Sequence, residues 1–202
     1  DGDKDSVTLI DPSQDGGLVI TKGHSGRPVH PEFMPTKIGF RDAKPGVRQL
    51  MDFEGSWLGM LISNRTKLII ESLEPNRHQF FPVEVFQRDD APETWNVYAG
   101  AFDPPEGTKF HDRKIADYWE FNICARLDTI DRARTVGIWE RGLYAPDMIG
   151  IKGNLVLSNA AINGAHAWVD RCASGMYFYD ALVANIQSAG LTGLRLTHVE
   201  AV

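Results

Sequence analysis

The side chains of this sequence that could act as bases or metal ligands are few and scattered. The six histidines are His24, His30, His78, His111, His166 and His198. His24 and His30 share a Pro/Gly-rich loop, but their H-x5-H spacing would not place them on one face of a helix as metal ligands. His111-Asp112 and Glu120 could perform acid–base chemistry only in a geometry that spacing alone does not supply. The histidines therefore predict neither a metal site nor a catalytic site.

The two cysteines also predict neither a metal site nor a catalytic site. Cys124 lies in the apolar stretch FNICA, which favours a buried thiol, and Cys172 follows Arg171 without a partnered histidine or asparagine pattern. They form no CxxC spacing, so we expect no structural zinc and no disulfide framework, which fits a reducing compartment. The sequence contains no GxSxG, Walker A, GxGxxG or HExxH motif. We therefore predict a protein that is not an enzyme and that uses no cofactor.

Charge and hydropathy exclude several kinds of partner. The 202 residues include 27 acidic and 21 basic side chains, for a net charge of −6, and no basic stripe of the kind that binds nucleic acid is present. No apolar run approaches the roughly 18 residues that span a bilayer. The first residues lack the basic start and apolar middle of a secretory signal. We expect a cytoplasmic protein with a basic protein partner; the oligomeric state stays open.

One segment combines acidic and aromatic residues and is the predicted partner-binding site. Residues 87–107 read QRDDAPETWNVYAGAFDPPEG. Aromatic side chains supply contact area at protein interfaces, and carboxylates steer and pair with a basic partner. The predicted partner-binding residues are Asp89, Asp90, Glu93, Trp95, Tyr98, Asp103 and Glu106.

Hydrophobic periodicity predicts short strands with a few helices between them. Strands are expected at 7–10, 18–21, 80–87, 94–102, the first half of 118–131, 135–142, 149–158 and 194–201. A helix is expected over 65–75, capped by Ser63 or Asn64 and stopped by Pro75. A second helix is expected within 176–190, with Gly190 at its C-cap. Residues 159–170 predict a short helix or loop followed by a strand.

The helix-and-strand pattern of residues 63–85 recurs 116 positions later, near the C-terminus. Ile70 aligns with Ile186, and Val83-Glu84 aligns with Val199-Glu200. A helix of this length needs a sheet on which to bury its apolar stripe, so two such units could cover two places on one sheet. The sequence predicts an α+β fold with a mainly antiparallel or mixed sheet, a few short helices and two similar helix–strand units. Residues 1–34 form a Gly/Pro-rich segment, and 35–202 the main domain.

Several of these pieces together resemble immunity family eleven of bacterial polymorphic-toxin systems. They are Asp52-Phe53, Leu61-Ile62-Ser63, the strand Phe80 to Val85, Phe121-Asn122, Leu127-Asp128 with Ile130-Asp131, and Ala189 to Glu200. The resemblance spans roughly residues 35–202. It implies a cytoplasmic protein that binds and neutralises a cognate toxin by steric and electrostatic blockade, without a catalytic residue. The alternatives are a metal-dependent hydrolase that uses the loop histidines and a non-catalytic scaffold protein.

Overall fold

The computed structural model describes residues 26–29, 31, 34, 36–41, 49–55, 59–88, 114–140, 142–145, 147–148, 151–152, 154–173 and 175–202. The chain forms two compact units. The first contains Val29–Lys67 and Phe80–Phe121, and the second contains His24–Pro28, Leu68–Gln79 and Asn122–Val202. Short helices alternate with antiparallel and parallel strand pairs, which confirms the predicted α+β class. None of the helices in these ranges is long and apolar enough to cross a membrane.

The first unit is built on a five-stranded sheet. Its strands are β1 (Lys37–Arg41), β2 (Phe53–Gly55), β3 (Met60–Ile62), β4 (Gln79–Arg88) and β5 (Lys114–Asn122). Their order in the sheet is β1-β4-β5-β3-β2. β1 runs parallel to β4, while β3 pairs antiparallel with β2 and β5. Phe80 stacks on Phe121, and Glu84 pairs with Lys114, so β4 and β5 also run in opposite directions.

Alternation along β4 separates a buried face of this sheet from a more open one. Val83 and Val85 are buried and pack with Leu61 and Tyr118 in the core of the unit. The residues between them point to the other face, because successive side chains of a strand alternate. Pro82 precedes the part of β4 that pairs with β1, where Lys37 lies opposite Glu84, so its missing N–H removes no bond to β1.

Helix α1 (Asn64–Leu73) begins where the sequence predicts, at a serine cap. The Ser63 hydroxyl oxygen accepts a hydrogen bond from the backbone N–H of Thr66, with 3.3 Å between N and Oγ. The same hydroxyl donates to the Asp52 carboxylate at 2.7 Å. The helix ends two residues before Pro75, and Asn76 follows with a left-handed φ of 58°. The predicted helix 65–75 is confirmed, and so is the predicted strand 80–87, which β4 contains.

The second unit consists of shorter pieces. Its strands are β6 (Arg126–Leu127), β7 (Ile138–Glu140), β8 (Leu143–Ala145), β9 (Asp147–Met148), β10 (Ile151–Lys152), β11 (Val156–Leu157), β12 (Ala167–Asp170), β13 (Met176–Phe178) and β14 (Glu200–Ala201). Its helices are α2 (Asn159–Ile162) and α3 (Asp180–Ser188). β12, whose four residues are all buried, pairs antiparallel with β13 and parallel with β6. β11 pairs parallel with β14, and β7 pairs antiparallel with β8.

The two predicted helix–strand units are both present, but their strands differ in length. α1 is followed by β4, which has ten residues and lies between β1 and β5. α3 ends before Gly190, whose left-handed φ of 64° suits the predicted cap, and its strand β14 has two residues. The strand predicted over 194–201 is therefore wrong except at its last two positions. β14 pairs with β11, which has only two residues, so the pairing ends after two residue pairs.

Other predicted strands are shorter than expected or lie outside the described residues. The expected strand 135–142 is present as β7, and 149–158 contains β10 and β11 in place of one continuous strand. Residues 159–170 form α2 followed by β12, as one of the two predicted alternatives requires. The strands predicted at 7–10, 18–21 and 94–102 lie outside the described residues.

Candidate protein-binding surface

His78 is the histidine whose surroundings most resemble those of a catalytic base. Its buried ring places Nε2 at 2.8 Å from Oε2 of Glu74, and Nδ1 accepts the backbone N–H of Cys124 at 3.2 Å. Because Nδ1 accepts, the ring proton sits on Nε2 and is donated to Glu74. Oε2 of Glu74 also accepts the N–H of Ala167 at 2.9 Å, and Oε1 lies 3.0 Å from Nη1 of Arg77. Both ring nitrogens are thus used in bonds that hold the second unit together.

Glu74 is charged in this network. Burial alone would raise the pKa of its carboxyl, but the hydrogen bonds from His78 and from the backbone N–H after His166, with the charge of Arg77, lower that pKa below its ordinary value of 4.5. A buried carboxylate that accepts two N–H groups and contacts a guanidinium is compensated in the way that buried charges require. The Glu74–His78 pair therefore has a structural role.

The two cysteines are free thiols that contact polar neighbours. Burial raises the pKa of Cys124, whose Sγ lies 3.6 Å from Oε1 of Gln79, and this favours the uncharged thiol over the nucleophilic thiolate. Sγ of Cys172 lies 3.2 Å from Nη2 of Arg132, and the Arg132 guanidinium in turn lies 4.8 Å from the ring centre of Trp139. Among the described residues, neither thiol lies beside a base that could activate it as a nucleophile.

One group of side chains in the second unit has the spacing of metal ligands. Asp128, Asp170 and Cys172 each bring a potential ligand atom within 4.8 Å of the others. However, Oδ2 of the buried Asp170 accepts the N–H and O–H of Thr129 at 2.6 and 2.7 Å. Its Oδ1 accepts the N–H groups of Cys172 at 2.7 Å and Ala173 at 3.3 Å. Since both oxygens bind protein donors, this group is suited to closing the turn after β12.

The remaining candidates for acid–base chemistry do not come together within the described residues. Glu120 is buried in the first unit, where its Oε1 accepts the N–H of Met60 at 3.1 Å. His166 has its ring edge-on to Tyr179 at 6.2 Å between centres, and His198 is exposed. His24, His30, His111 and Asp112 lie outside the described residues.

The more open face of β4, with the neighbouring part of β5, carries aromatic rings and charges. The same face of the sheet is buried further along, at Phe121 and at Ile62, which pairs with Trp119. Phe80 and Phe86 of β4 are half-buried there, as is Trp119 of β5. Asp117, two residues before Trp119, points to the same face and leaves 76% of its side chain exposed. Glu84 lies between Phe80 and Phe86 in the alternation of β4, with 41% of its side chain exposed.

Lysine side chains of this protein contact both the aromatic rings and the carboxylates of this face. Nζ of Lys67 lies 4.6 Å from the ring centre of Trp119 and 5.3 Å from that of Phe80, as in a cation–π contact. Nζ of Lys114 lies 2.6 Å from Asp117 and 3.0 Å from Glu84. Hydrogen bonds to Asp117 and then Glu84 raise the pKa of Lys114. The two carboxylates are therefore close enough to share one cation.

The predicted partner-binding residues, from Asp89 to Glu106, lie outside the described residues. In the chain they follow β4, which ends at Arg88, and precede β5, which begins at Lys114. The open sheet face was not predicted as a site, because Phe86 and Trp119 are 33 positions apart in the sequence and share a face only through strand pairing. The Glu74–His78 pair was not predictable from helical spacing either, because it forms across the turn after α1, where Asn76 has a left-handed φ of 58°.

The charge of the chain is unevenly distributed along the sequence. Residues 1–121 contain 14 basic and 20 acidic side chains, so their net charge is −6. Residues 122–202 contain seven of each, so their net charge is zero. The connection 89–113 between β4 and β5 contains six acidic and two basic residues. The acidity predicted to attract a basic partner thus belongs to the part of the sequence that supplies the first unit's sheet.

These features define an α+β protein whose described polar side chains are bonded largely to one another. Residues 9–102, just under half of the chain, match the sequence model of the Immunity protein family (Imm11). The resemblance to an immunity family is confirmed over these residues, and it supports an immunity-protein role. The match includes β1 to β4 and much of the segment 1–34, and it ends before the C-terminal motif at 189–200. No curated protein matches the chain.

Proposed function

We propose that this protein is a cytoplasmic immunity protein that binds a cognate toxin and neutralises it by covering a functional surface of the toxin. The observation that carries the proposal is the match of residues 9–102 to the Imm11 family. The net charge of −6 supports it, because an acidic protein attracts a basic partner and raises the rate of encounter. Neutralisation then depends on binding alone, with no cofactor, nucleic acid or membrane.

The blockade rests on an interface of ordinary size. A specific protein–protein interface buries about 1,600 Å² in total. Carboxylates accept paired hydrogen bonds from arginines of the toxin, and aromatic side chains fill pockets on its surface. The acidic and aromatic segment at 87–107 is the proposed contact, with Asp89, Asp90, Glu93 and Trp95 at its start and Tyr98, Asp103 and Glu106 further along.

Co-expression tests the proposal directly. A toxin domain encoded beside this protein's gene is the expected partner. It is expressed alone and together with this protein, and the survival of the cells is counted. We expect growth arrest with the toxin alone and rescue in the presence of this protein, with a stable complex of the purified partners. Unimpaired killing in the presence of folded protein would overturn the proposal.

A second experiment tests the contact residues. Joint substitution of Asp89, Asp90, Glu93 and Trp95 by alanine is expected to weaken binding to the toxin domain, because it removes three charges and one aromatic anchor. Binding that matches the wild type would remove this segment from the interface and leave the immunity role intact. Stoichiometric metal in the purified protein, with turnover abolished by substituting one histidine, would favour the hydrolase alternative instead.

A further inference from the structure

The turn after α2 contains the one Asn-Gly pair of the sequence, Asn163-Gly164. Both residues are exposed, and both have left-handed φ values, of 48° and 75°. Glycine and asparagine adopt this conformation more readily than other residues, so the pair suits the end of a helix. The pair is also the dipeptide in which an asparagine side chain reacts most readily with its own main chain, because glycine has no Cβ to shield its backbone nitrogen.

The reaction needs only these two residues and water. The backbone nitrogen of Gly164 loses its proton to solvent and attacks Cγ of Asn163, and Nδ2 of Asn163 leaves as ammonia. Water then opens the resulting five-membered succinimide ring at either of its carbonyl groups. The product is aspartate, or its isomer isoaspartate, in which the main chain continues through Cβ. Asn163 thereby exchanges an NH2 group for an OH group without any oxidant or reductant.

The nitrogen that would attack is not used by the fold. Among the backbone hydrogen bonds of the described residues, none has the N–H of Gly164 as its donor. A Cβ added to Gly164 would meet nothing within 4 Å, so the turn is not covered by another part of the chain that the structure describes. Solvent therefore reaches both the nitrogen and the side-chain amide, and it supplies the base and the water that the reaction consumes.

The backbone angles nevertheless hold the two reacting groups apart. Asn163 has a ψ of 45°, which places the nitrogen of Gly164 nearly anti to Cβ of Asn163, whereas ring closure requires these two atoms to be nearly eclipsed. Hydrogen bonds on both sides fix this angle: the N–H of Asn163 donates to the Asn159 oxygen at 3.2 Å, and the N–H of Ala165 donates to the Ile162 oxygen at 3.0 Å. The ring can therefore close only in molecules in which this turn has opened.

We propose that Asn163 is a site of spontaneous deamidation, and that opening of the turn between α2 and β12 sets its rate. The product damages the same turn. Aspartate adds a negative charge at the C-terminal end of α2, where the helix dipole disfavours it. Isoaspartate also lengthens the main chain by a methylene group shortly before the buried Ala165. Deamidation therefore loosens this part of the second unit as the protein ages, whichever partner the protein binds.

Peptide mapping by mass spectrometry tests the site. The whole chain is incubated in mildly alkaline buffer, once folded and once in urea, and the exchange of NH2 for OH is followed at each asparagine. The matched control is Asn76, which is also exposed and left-handed, with a φ of 58°, but is followed by Arg77. We expect Asn163 to deamidate well before Asn76 in urea. We also expect Asn163 to react about tenfold or more slowly in the folded protein, because a turn that is open in a tenth of the molecules reacts at a tenth of the unfolded rate.

Two outcomes of this experiment would overturn the proposal. If Asn163 stays intact in urea for as long as Asn76 does, it is not a deamidation site. If Asn163 reacts equally fast in the folded protein and in urea, opening of the turn does not set the rate.

The effect of the product is measured by urea denaturation of fresh and aged protein. We expect the aged wild type to unfold at a lower urea concentration than the fresh protein. Asn163→Gln aged in the same way is expected to keep its midpoint, because glutamine closes the corresponding larger ring far more slowly. Asn163→Asp has the charge without the lengthened main chain, so a smaller loss in this variant is expected. Equal losses in the aged wild type and in aged Asn163→Gln would place the damage elsewhere and contradict the loosening of this turn.

Discussion

In the second unit, strands of two to four residues are joined by buried polar side chains, whereas in the first unit the polar side chains of β4 and β5 lie partly at the surface of a longer sheet. Asp170 closes the turn after β12, and Glu74 bonds both His78 and the N–H of Ala167. In the first unit, Asp117 and Glu84 are partly exposed and meet Lys114 at the surface. The difference indicates that loss of a described polar group should destabilise the second unit more than loss of one of these surface ion-pair partners destabilises the first.

The largest effect is expected from Asp170→Ala. The change leaves the N–H group of the buried Thr129, and those of the partly buried Cys172 and Ala173, without their acceptor. We expect the free energy of unfolding to fall by about 3–5 kcal/mol, as measured by urea denaturation. The control is Asp128→Ala at the exposed neighbouring position, expected to stay within about 0.5 kcal/mol of the wild type. Equal effects of the two changes would contradict a special role for Asp170.

A glycine of the second unit gives the next largest effect. Gly26 has a left-handed φ of 72°, and an added Cβ would lie 2.4 Å from Cγ2 of Val169 and 2.5 Å from Cβ of Arg126. Gly190 has a similar φ of 64°, but an added Cβ would meet nothing within 4 Å. Gly190→Ala should cost about 1 kcal/mol of unfolding free energy from backbone strain, and Gly26→Ala about 1–3 kcal/mol more from overpacking. Urea denaturation of both variants measures the difference, and equal costs would show that the clash around Gly26 relaxes freely.

Glu74→Gln tests the buried charge of the second unit through its dependence on pH. The lowered pKa of Glu74 means that its ionised form stabilises the fold above pH 4.5, the ordinary value, and that this contribution is lost as the pH falls through the lowered pKa. We expect Glu74→Gln to reduce the unfolding free energy by about 2 kcal/mol near neutral pH.

The difference between the wild type and Glu74→Gln should shrink as the pH falls below 4.5. Unfolding free energies at a series of pH values measure it, with Glu71→Gln on α1 as the control. A difference that stays constant with pH would show that the side-chain amide replaces the carboxylate fully, and that the charge of Glu74 does not matter.

Local signals explain why some elements were predictable from the sequence. Ser63 and Pro75 fix the two ends of α1 through a capping bond and a missing N–H, both of which depend on near neighbours. Gly190 adopts the left-handed conformation that its position after a helix requires. β4 was predictable because its alternation of buried and open positions extends over most of its length.

The elements and contacts that depend on distant partners were not predictable. Residues 194–199 have the alternation of a strand but form no backbone–backbone hydrogen bond among the described residues, because β11 accompanies only the end of that segment. The open face required the pairing of β4 with β5, which the spacing of Phe86 and Trp119 does not reveal. The bonds of Asp170 to Thr129 join residues 41 positions apart. Sequence periodicity specifies an element, whereas a site depends on the strand register.

The smallest effect on the unfolding free energy is expected in the first unit, for a side chain that contacts the rings of β4 and β5. Lys67→Met keeps the apolar stem of the side chain and removes the ammonium that lies 4.6 Å from the ring centre of Trp119. An exposed cation–π contact contributes about 0.5–1 kcal/mol, so the unfolding free energy should fall by no more than that. Urea denaturation followed by tryptophan fluorescence measures it. Lys37→Met is the control, because it removes an ammonium that lies farther from its ring, at 5.9 Å from the centre of Phe86.

The outcome decides whether the described polar residues of the two units have different roles. If Lys67→Met costs as much as Asp170→Ala, the open face contributes to stability as the buried network does, and its charges are not free for recognition. If the cost is small, a partner can displace Lys67 from Trp119 at little expense to the fold.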